Sequence, residues 1–489
     1  MSRAQVTDES SSLQRLLTGR QLTMIAIGSA IGTGLFLGSS LAISQAGPSV
    51  IVAYVLCGLV ALVIAFALAE MAVVHPTAGA FGAIAHSYIG PWAGFSLRWT
   101  YWAMEVIAIG GEVIAAGIYM QYWWPKMPLW LPVLIFSLLV LTVNAAAVRL
   151  FGEFEYWFSM IKVTAISVFI LIGIAIMTFG LPERPATGLS NLTSHGGFMP
   201  HGLTGLGTAM VFVLFSYIGT EVVSVTAAEA KNPERDIPRA ARQMILRLLL
   251  FYILAIIVMV AVVPWTVTAQ GGELDASPFV KVFASAGVPA AAGIMNFVVL
   301  TAALSAANTN LYLTTRMMHS LAGHGFAPRW TGRLSRHGVP RNALALSALG
   351  LIVAAALSAQ SDSQAYLVLF GIAIFAAIVV WIMILVTHTV FRWRRARLGL
   401  PASPVQLWGA PLTSGLAAVF LLAVLISTFF IEGLDPAWKF GIPFFATLLI
   451  VFAIVRKRTG LSEEDNVLAS ELNGRAPQGG SSKVQQPVV

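Results

Sequence analysis

Gly28, Gly32 and Gly34 fall within seven residues of one apolar run, Gly28-Ser29-Ala30-Ile31-Gly32-Thr33-Gly34. Each glycine costs a helix about 1 kcal/mol relative to alanine, so three together need a reason. Close packing supplies one, because small residues let membrane helices approach each other, and Gly28 with Gly32 has the required four-residue spacing. Gly32-Thr33-Gly34 does not fit that account, since adjacent positions point to different helix faces. The cluster reads better as an interruption of the helix. A second apolar run carries Phe215-Ser216-Tyr217-Ile218-Gly219-Thr220-Glu221, and the tripeptide Ile-Gly-Thr occurs at both 31–33 and 218–220. Bare N–H and C=O groups deep in a membrane are tolerable only where they line a cavity and find a partner. A helix start carries roughly half a positive charge and suits a carboxylate, while freed carbonyls suit an ammonium group. Two such breaks facing each other would hold a zwitterion, which is what an amino acid is.

Ionisable residues inside apolar runs are the second signal, because each costs about 2.5–3.5 kcal/mol at the bilayer centre. Lys162 lies in the first third of such a run, after Glu153 and Glu155. It reads equally as a lysine snorkelling to the interface and as a functional group. Glu112 stands in the middle of a run; it is either satisfied by a neighbouring helix or directed at a bound solute. Glu221 directly follows the second break. Glu70, near the end of the second run, reads as interfacial, and Glu105 has no account. Other patterns fail in context. Gly32-Thr33-Gly34 with Gly38 has the wrong spacing for a dinucleotide fingerprint and follows no strand. There is no His-Glu-x-x-His and no nucleophile constellation. The sequence therefore implies no enzyme, no metal and no organic cofactor.

The elements that carry these groups follow from composition. Of 489 residues, 57% are apolar and 10% charged, with a mean hydropathy of +0.82. A soluble domain carries about a quarter charged residues, so the chain expected here is an all-α integral membrane protein. A helix needs about 20 apolar residues to cross roughly 30 Å of hydrocarbon. Twelve such runs can be read, at 22–45, 50–71, 91–122, 129–147, 157–180, 204–226, 244–265, 287–317, 343–359, 365–390, 410–431 and 440–456. The two breaks fall in runs one and six, and an odd offset of five inverts the second copy relative to the membrane. Inverted repeats with discontinuous helices are a common transporter plan.

The net charge of +8 could suggest nucleic acid, but the cations sit in short segments between apolar runs. Arg3, Arg15 and Arg20 precede the first run; Lys231, Arg235, Arg239 and Arg242 follow the sixth; Arg329, Arg333, Arg336 and Arg341 follow the eighth; Arg392, Arg394, Arg395 and Arg397 follow the tenth. The positive-inside bias then places both termini in the cytoplasm. The partner is the lipid bilayer, with no nucleic acid and no obligate protein partner expected. Cys57 lies alone in an apolar run, and the polar start shows no cleaved leader. The expected organisation is an N-terminal segment 1–20, a transporter core 21–390, a helix pair 391–457 and a disordered tail 458–489.

These residues resemble the amino acid–polyamine–organocation superfamily, and within it the bacterial amino acid transporter family. The resemblance runs from Arg20 to about Arg458. It is carried by Arg20-Gln21-Leu22-Thr23-Met24-Ile25 leading into Ile31-Gly32-Thr33-Gly34-Leu35-Phe36, by Gly219-Thr220-Glu221 leading to Ala227-Ala228-Glu229, by Lys231-Asn232-Pro233-Glu234, by Ile161-Lys162-Val163, and by Ser305-Ala306-Ala307-Asn308 with Arg316. It implies a LeuT-like fold of twelve spans, the first ten forming two inverted five-helix repeats, and proton-coupled amino acid uptake across the cytoplasmic membrane. It implies that Thr33 and Gly34 of the first break hold the substrate carboxylate, with Ile31 among the substrate-binding residues. The carbonyls of Ala30, Phe215 and Ile218, with Gly219 beside them, would hold the ammonium. Ile109, Glu112, Phe215 and Asn308 would line the side-chain subsite, Asn308 being equally readable as glue between helices. It implies that Lys162 stands where sodium-coupled relatives bind their ion, with Glu221 and Glu112 as further coupling or gating carboxylates and a proton as coupling ion. Exchange, and a non-translocating membrane sensor, are the competing readings; the short termini speak against the sensor.

Overall fold

In hydrocarbon every backbone polar group must be satisfied within its own segment, so long apolar runs form helices. The computed structural model describes Met24 and residues 28–77, 79–145, 148–180, 185–225, 233–270, 277–285, 287, 289–335, 339–359, 364–431, 434–459 and 466–475. The segment 1–20, Arg184, Glu229, Lys231, Arg336, Asp362 and the end of the tail lie outside the described residues. Among the described residues there are helices and no strand. In chain order they are α1 Thr33–Phe36, α2 Gly38–Ala46, α3 Val50–Val74, α4 Ala80–Tyr88, α5 Pro91–Gln121, α6 Trp130–Ala145, α7 Val148–Phe179, α8 Gly202–Ser216, α9 Val222–Val225 and α10 Pro233–Val262. There follow α11 Trp265–Gln270, α12 Pro278–Ser285, α13 Pro289–Gly323, α14 Arg341–Ser347, α15 Leu349–Ser358, α16 Gln364–Arg397, α17 Leu412–Ser427, α18 Asp435–Thr459 and α19 Val467–Arg475.

Nine of the described helical stretches are long and apolar enough to cross a membrane, α2 and α3 counting as one because the 3-10 turn Gly47–Ser49 joins them. Two shorter apolar helices, α6 and α8, accompany them. The chain is thus a multi-pass membrane protein. Several runs extend beyond their apolar stretch. α7 begins nine residues before the expected 157, and α10 begins eleven before 244, with Pro238 inside it. Sequence hydropathy missed the amphipathic α4 altogether.

Polar cross-links at the charged ends fix the bundle. Glu70, expected at an interface, is only 2% exposed. Its carboxylate accepts from Arg392 Nε at 2.8 Å and from the Leu407 N–H at 2.7 Å, and it lies 3.0 Å from His388 Nε2. The acid is covered by α16 and the segment ahead of α17, which are over 300 residues away in sequence. In the tail, where composition suggests disorder, α19 instead packs on α4, and Glu471 accepts from Arg395 at 2.7 Å. Arg98 of α5 is fully buried. It donates to the Gly94 carbonyl at 2.9 Å and to Ser320 Oγ at 3.0 Å, and it lies 2.9 Å from His324 Nδ1. The arginine passes over Gly82, where a Cβ would collide with its side chain, and a Cβ on Gly79 would collide with Ser320.

Candidate functional site

The first break is real. Residues 28–30 are helical, Ile31 and Gly32 are not, and α1 restarts at Thr33 with Gly32 extended at φ −121° and ψ −158°. In the second, α8 ends at Ser216 and five turn residues precede α9, with Gly219 at φ +101°. A side chain is strained at that φ, which is why glycine stands there. The two breaks lie against each other, backbone to backbone. Ser29 Oγ donates to the Gly219 carbonyl at 3.2 Å. A Cβ on Gly34 would come within 2.7 Å of Ser216 Cα, and one on Gly219 within 2.9 Å of the Ser29 carbonyl. Close approach therefore requires glycine at both positions, and conformation requires it at Gly219 as well.

The exposed N–H groups at the breaks, one at the restart of α1 and one in the second turn, are occupied by this chain's own carboxylates. The Thr33 N–H faces both oxygens of Glu112 at 3.4 Å. A Cβ on Gly32 would come within 2.9 Å of the same carboxylate, so Gly32 also clears its path. At the second break the Gly219 N–H faces both oxygens of Glu221 at 3.2 Å, and Trp381 Nε1 donates to Glu221 at 3.3 Å. Both acids are buried, and each satisfies backbone N–H groups that the breaks leave without an intrahelical partner. Around Glu112 the hydroxyls of Thr33, Tyr119 and Tyr366 are buried without hydrogen-bond partners. The Thr33 hydroxyl lies beside both Glu112 and Tyr366, and Tyr119 and Tyr366 lie close enough to feel the Glu112 charge. Buried polar groups are normally paired, and this group of loosely satisfied hydroxyls around one carboxylate gives a polar guest partners to take.

The other expected site residues divide. Ile109 is buried one turn before Glu112 on the same helix. Phe215 is 9% exposed and packs on Phe370 at 4.4 Å between ring centroids, which suits a lid. Ile218 is partly buried beside it. The Ala30 carbonyl, expected to face an ammonium, already accepts from Tyr252 Oη at 2.6 Å and from the Gly32 N–H at 3.2 Å. Asn308 Oδ1 accepts from Asn144 at 2.7 Å, so this amide ties α6 to α13. Lys162 is fully buried and donates to the Gly28 carbonyl at 2.6 Å, just ahead of the first break.

Sequence reading missed Tyr252, Tyr366, Asn144 and Glu155. A hydroxyl or amide amid apolar neighbours was the available signal for the first three. Glu155 was obscured by its neighbour Glu153. Two residues apart on a helix they point to nearly opposite faces, and Glu153 is exposed while Glu155 is fully buried.

A multi-pass helical protein in which two broken helices meet backbone to backbone has the plan of a membrane carrier for a small solute. The sequence profile described as amino acid permease matches residues 21–459, and the chain belongs to that family. It is 41% identical over 419 residues to an amino acid permease, YvbW, of Bacillus subtilis strain 168, covering 86% of this chain and 92% of that one. It is 38% identical over 448 residues to the gamma-aminobutyric acid permease of the same organism, covering 92% and 95%. To the aromatic amino acid transport protein AroP of Escherichia coli K12 it is 39% identical over 434 residues, covering 87% and 93%.

Proposed function

We propose that this permease is a proton-coupled importer with a LeuT-like plan of twelve spans, the first ten in two inverted repeats. It would work in the cytoplasmic membrane with both termini inside the cell. The observation that carries the reading is the pair of interruptions packed on one another, with a carboxylate seated on the first restarted helix. Relatives are named for 4-aminobutyrate and for aromatic amino acids. Those solutes share an amine and a carboxylate and little else, which suits a site built from backbone. The solute carboxylate would take the Thr33 N–H, and Glu112 would have to give it up. A proton on Glu112 weakens its hold on that N–H, so proton and solute enter together. The Tyr366, Tyr119 and Thr33 hydroxyls then gain partners. The solute ammonium would turn to the carbonyls of Phe215 and Ile218, since Ala30 is already committed to Tyr252. Lys162, tied to Gly28, would hold the segment before the break in place of a metal cation, and Glu221 would gate the second break. No cofactor is needed beyond the coupling proton.

The test is uptake of labelled amino acids into liposomes with and without an imposed pH gradient, followed by a competition panel of unlabelled ones. Accumulation driven by the gradient, and its loss in Lys162→Ala, are expected. Binding without accumulation would overturn transport. Accumulation only against preloaded amino acid would replace symport by exchange, and wild-type pH dependence in Lys162→Ala would remove Lys162 from coupling.

A further inference from the structure

Glu155, Ser159 and Lys162 lie at i, i+4 and i+7 on α7, one above another on one face. All three are fully buried, and all three touch the strand of chain that leads into the first break. Ser159 Oγ donates to the Met24 carbonyl at 2.9 Å, and Lys162 Nζ donates to the Gly28 carbonyl. A Cβ on Gly28 would collide with Ser159 and lie 2.9 Å from Glu155 Oε1. From the other side, Ser305 Oγ of α13 donates to Glu155 Oε1 at 2.5 Å, with Asn308 and Thr309 beside the same carboxylate. Its second oxygen, Oε2, is buried without a hydrogen-bond partner.

A buried acid with one oxygen held and one open, on the face of a buried lysine, calls for an explanation. An uncompensated charge in a low-dielectric interior is expensive. The Gly28 carbonyl is neutral, and it occupies one of the three donors of an ammonium group. Lysine side chains on a helix lean toward its N-terminus, which here is the direction of Glu155. We propose that Glu155 is the counter-ion of Lys162 and the acceptor to which its ammonium turns when the Gly28 contact opens. Ser305 keeps the carboxylate fixed to α13 while Gly28 moves away. The lysine thereby exchanges one acceptor for another without crossing an unpaired state. The inference rests on the coupling role given to Lys162 above.

The charged groups facing Lys162 are Glu155 on its own helix and Glu112 on α5. The α13 side chains at Glu155 are Ser305, Asn308 and Thr309, which do not titrate in the working range. The segment before the break presents the backbone of Met24 and Gly28, and α10 meets α7 further along, with Val258 against Gly173.

The full-length permease in liposomes, given a mixture of the twenty labelled protein amino acids with 4-aminobutyrate, tests this between pH 5 and 8. Glu155→Gln keeps an acceptor for Ser305 and removes the charge. Without its counter-ion Lys162 gives up its proton more readily, so the midpoint of the pH profile should move toward acid by about one unit. Glu155→Asp should restore the wild-type midpoint at a lower rate. An unchanged midpoint in Glu155→Gln overturns the pairing. Thermal unfolding of Glu155→Met, Lys162→Met and the double variant supplies a measurement independent of transport. Counter-ions predict a double variant more stable than Glu155→Met alone, and losses that simply add refute the pairing. If Lys162→Met keeps wild-type pH-driven uptake, the coupling role falls, while the unfolding cycle still decides whether the two charges are paired.

Discussion

Gly34→Ala is the sharpest probe of the facing breaks. The added methyl would lie 2.7 Å from Ser216 Cα and 2.9 Å from both the Phe215 carbonyl oxygen and the Ser216 nitrogen. All three are backbone atoms and cannot swing aside as a side-chain tip can. Ordinary carbon contacts lie near 3.5–4.0 Å, so the two breaks must part by about 1 Å. Overpacking of this kind costs about 1–3 kcal/mol. If that penalty falls on the solute-bound arrangement, apparent affinity drops by about 5- to 140-fold at 1.4 kcal/mol per tenfold. Gly38→Ala is the matched control on the same segment: its methyl would meet nothing closer than 3.9 Å, and helix propensity favours alanine there. Concentration-dependent uptake into liposomes reads the difference. A raised half-saturation concentration for Gly34→Ala alone is expected. Equal behaviour of the two variants would refute the idea that the site is assembled from backbone held in contact.

Glu112→Gln keeps the shape of the group on the Thr33 N–H but removes its charge and its titration; uptake should persist with a flattened pH profile, measured with and without a pH gradient. Glu70→Ala strips the acid from Arg392 and His388 and should lower stability by about 2–3 kcal/mol, below the full penalty for a buried pair because Arg392 is 24% exposed; thermal unfolding in detergent measures it. Burial holds His75 at a pKa of about 4, with the Arg395 charge adding to the effect and Glu471 opposing it. Burial and the Arg98 charge hold His324 at about 4. Both are neutral in the folded protein at pH 6 and ordinarily titrate near 6.5. The unfolded chain therefore binds more protons between about pH 6.5 and 4, and stability should fall as pH is lowered through that window. Replacing both histidines with glutamine should flatten that fall in thermal unfolding scans.

The breaks were legible because glycine in a helix is costly and three within seven residues leave few explanations; the repeated Ile-Gly-Thr then paired the two locations. What occupies the breaks was not legible. That Glu112 reaches Thr33, 79 positions away, and Tyr252 reaches Ala30, 222 positions away, follows from packing between helices. Spacing along one helix says nothing about that. Asn308 shows the limit well: its polarity marked it, yet its partner, Asn144, decides whether it lines a pocket or ties two helices. Hydropathy located the long helices and failed at their polar ends. The charged starts of α7 and α10 remain helical beyond the apolar stretch, and α4 is too short and too amphipathic to stand out.

Arg98 and the glycines beneath it have a bearing on how this protein can change over generations. The arginine lies in a groove that Gly82 leaves open, and Gly79 leaves room for the Ser320 hydroxyl that meets it. A larger residue at 82 is inadmissible while the stem of Arg98 occupies the groove, and a shorter residue at 98 would leave the groove hollow. Drift at either position is blocked until the other yields, so descendants should keep the trio intact or lose it together.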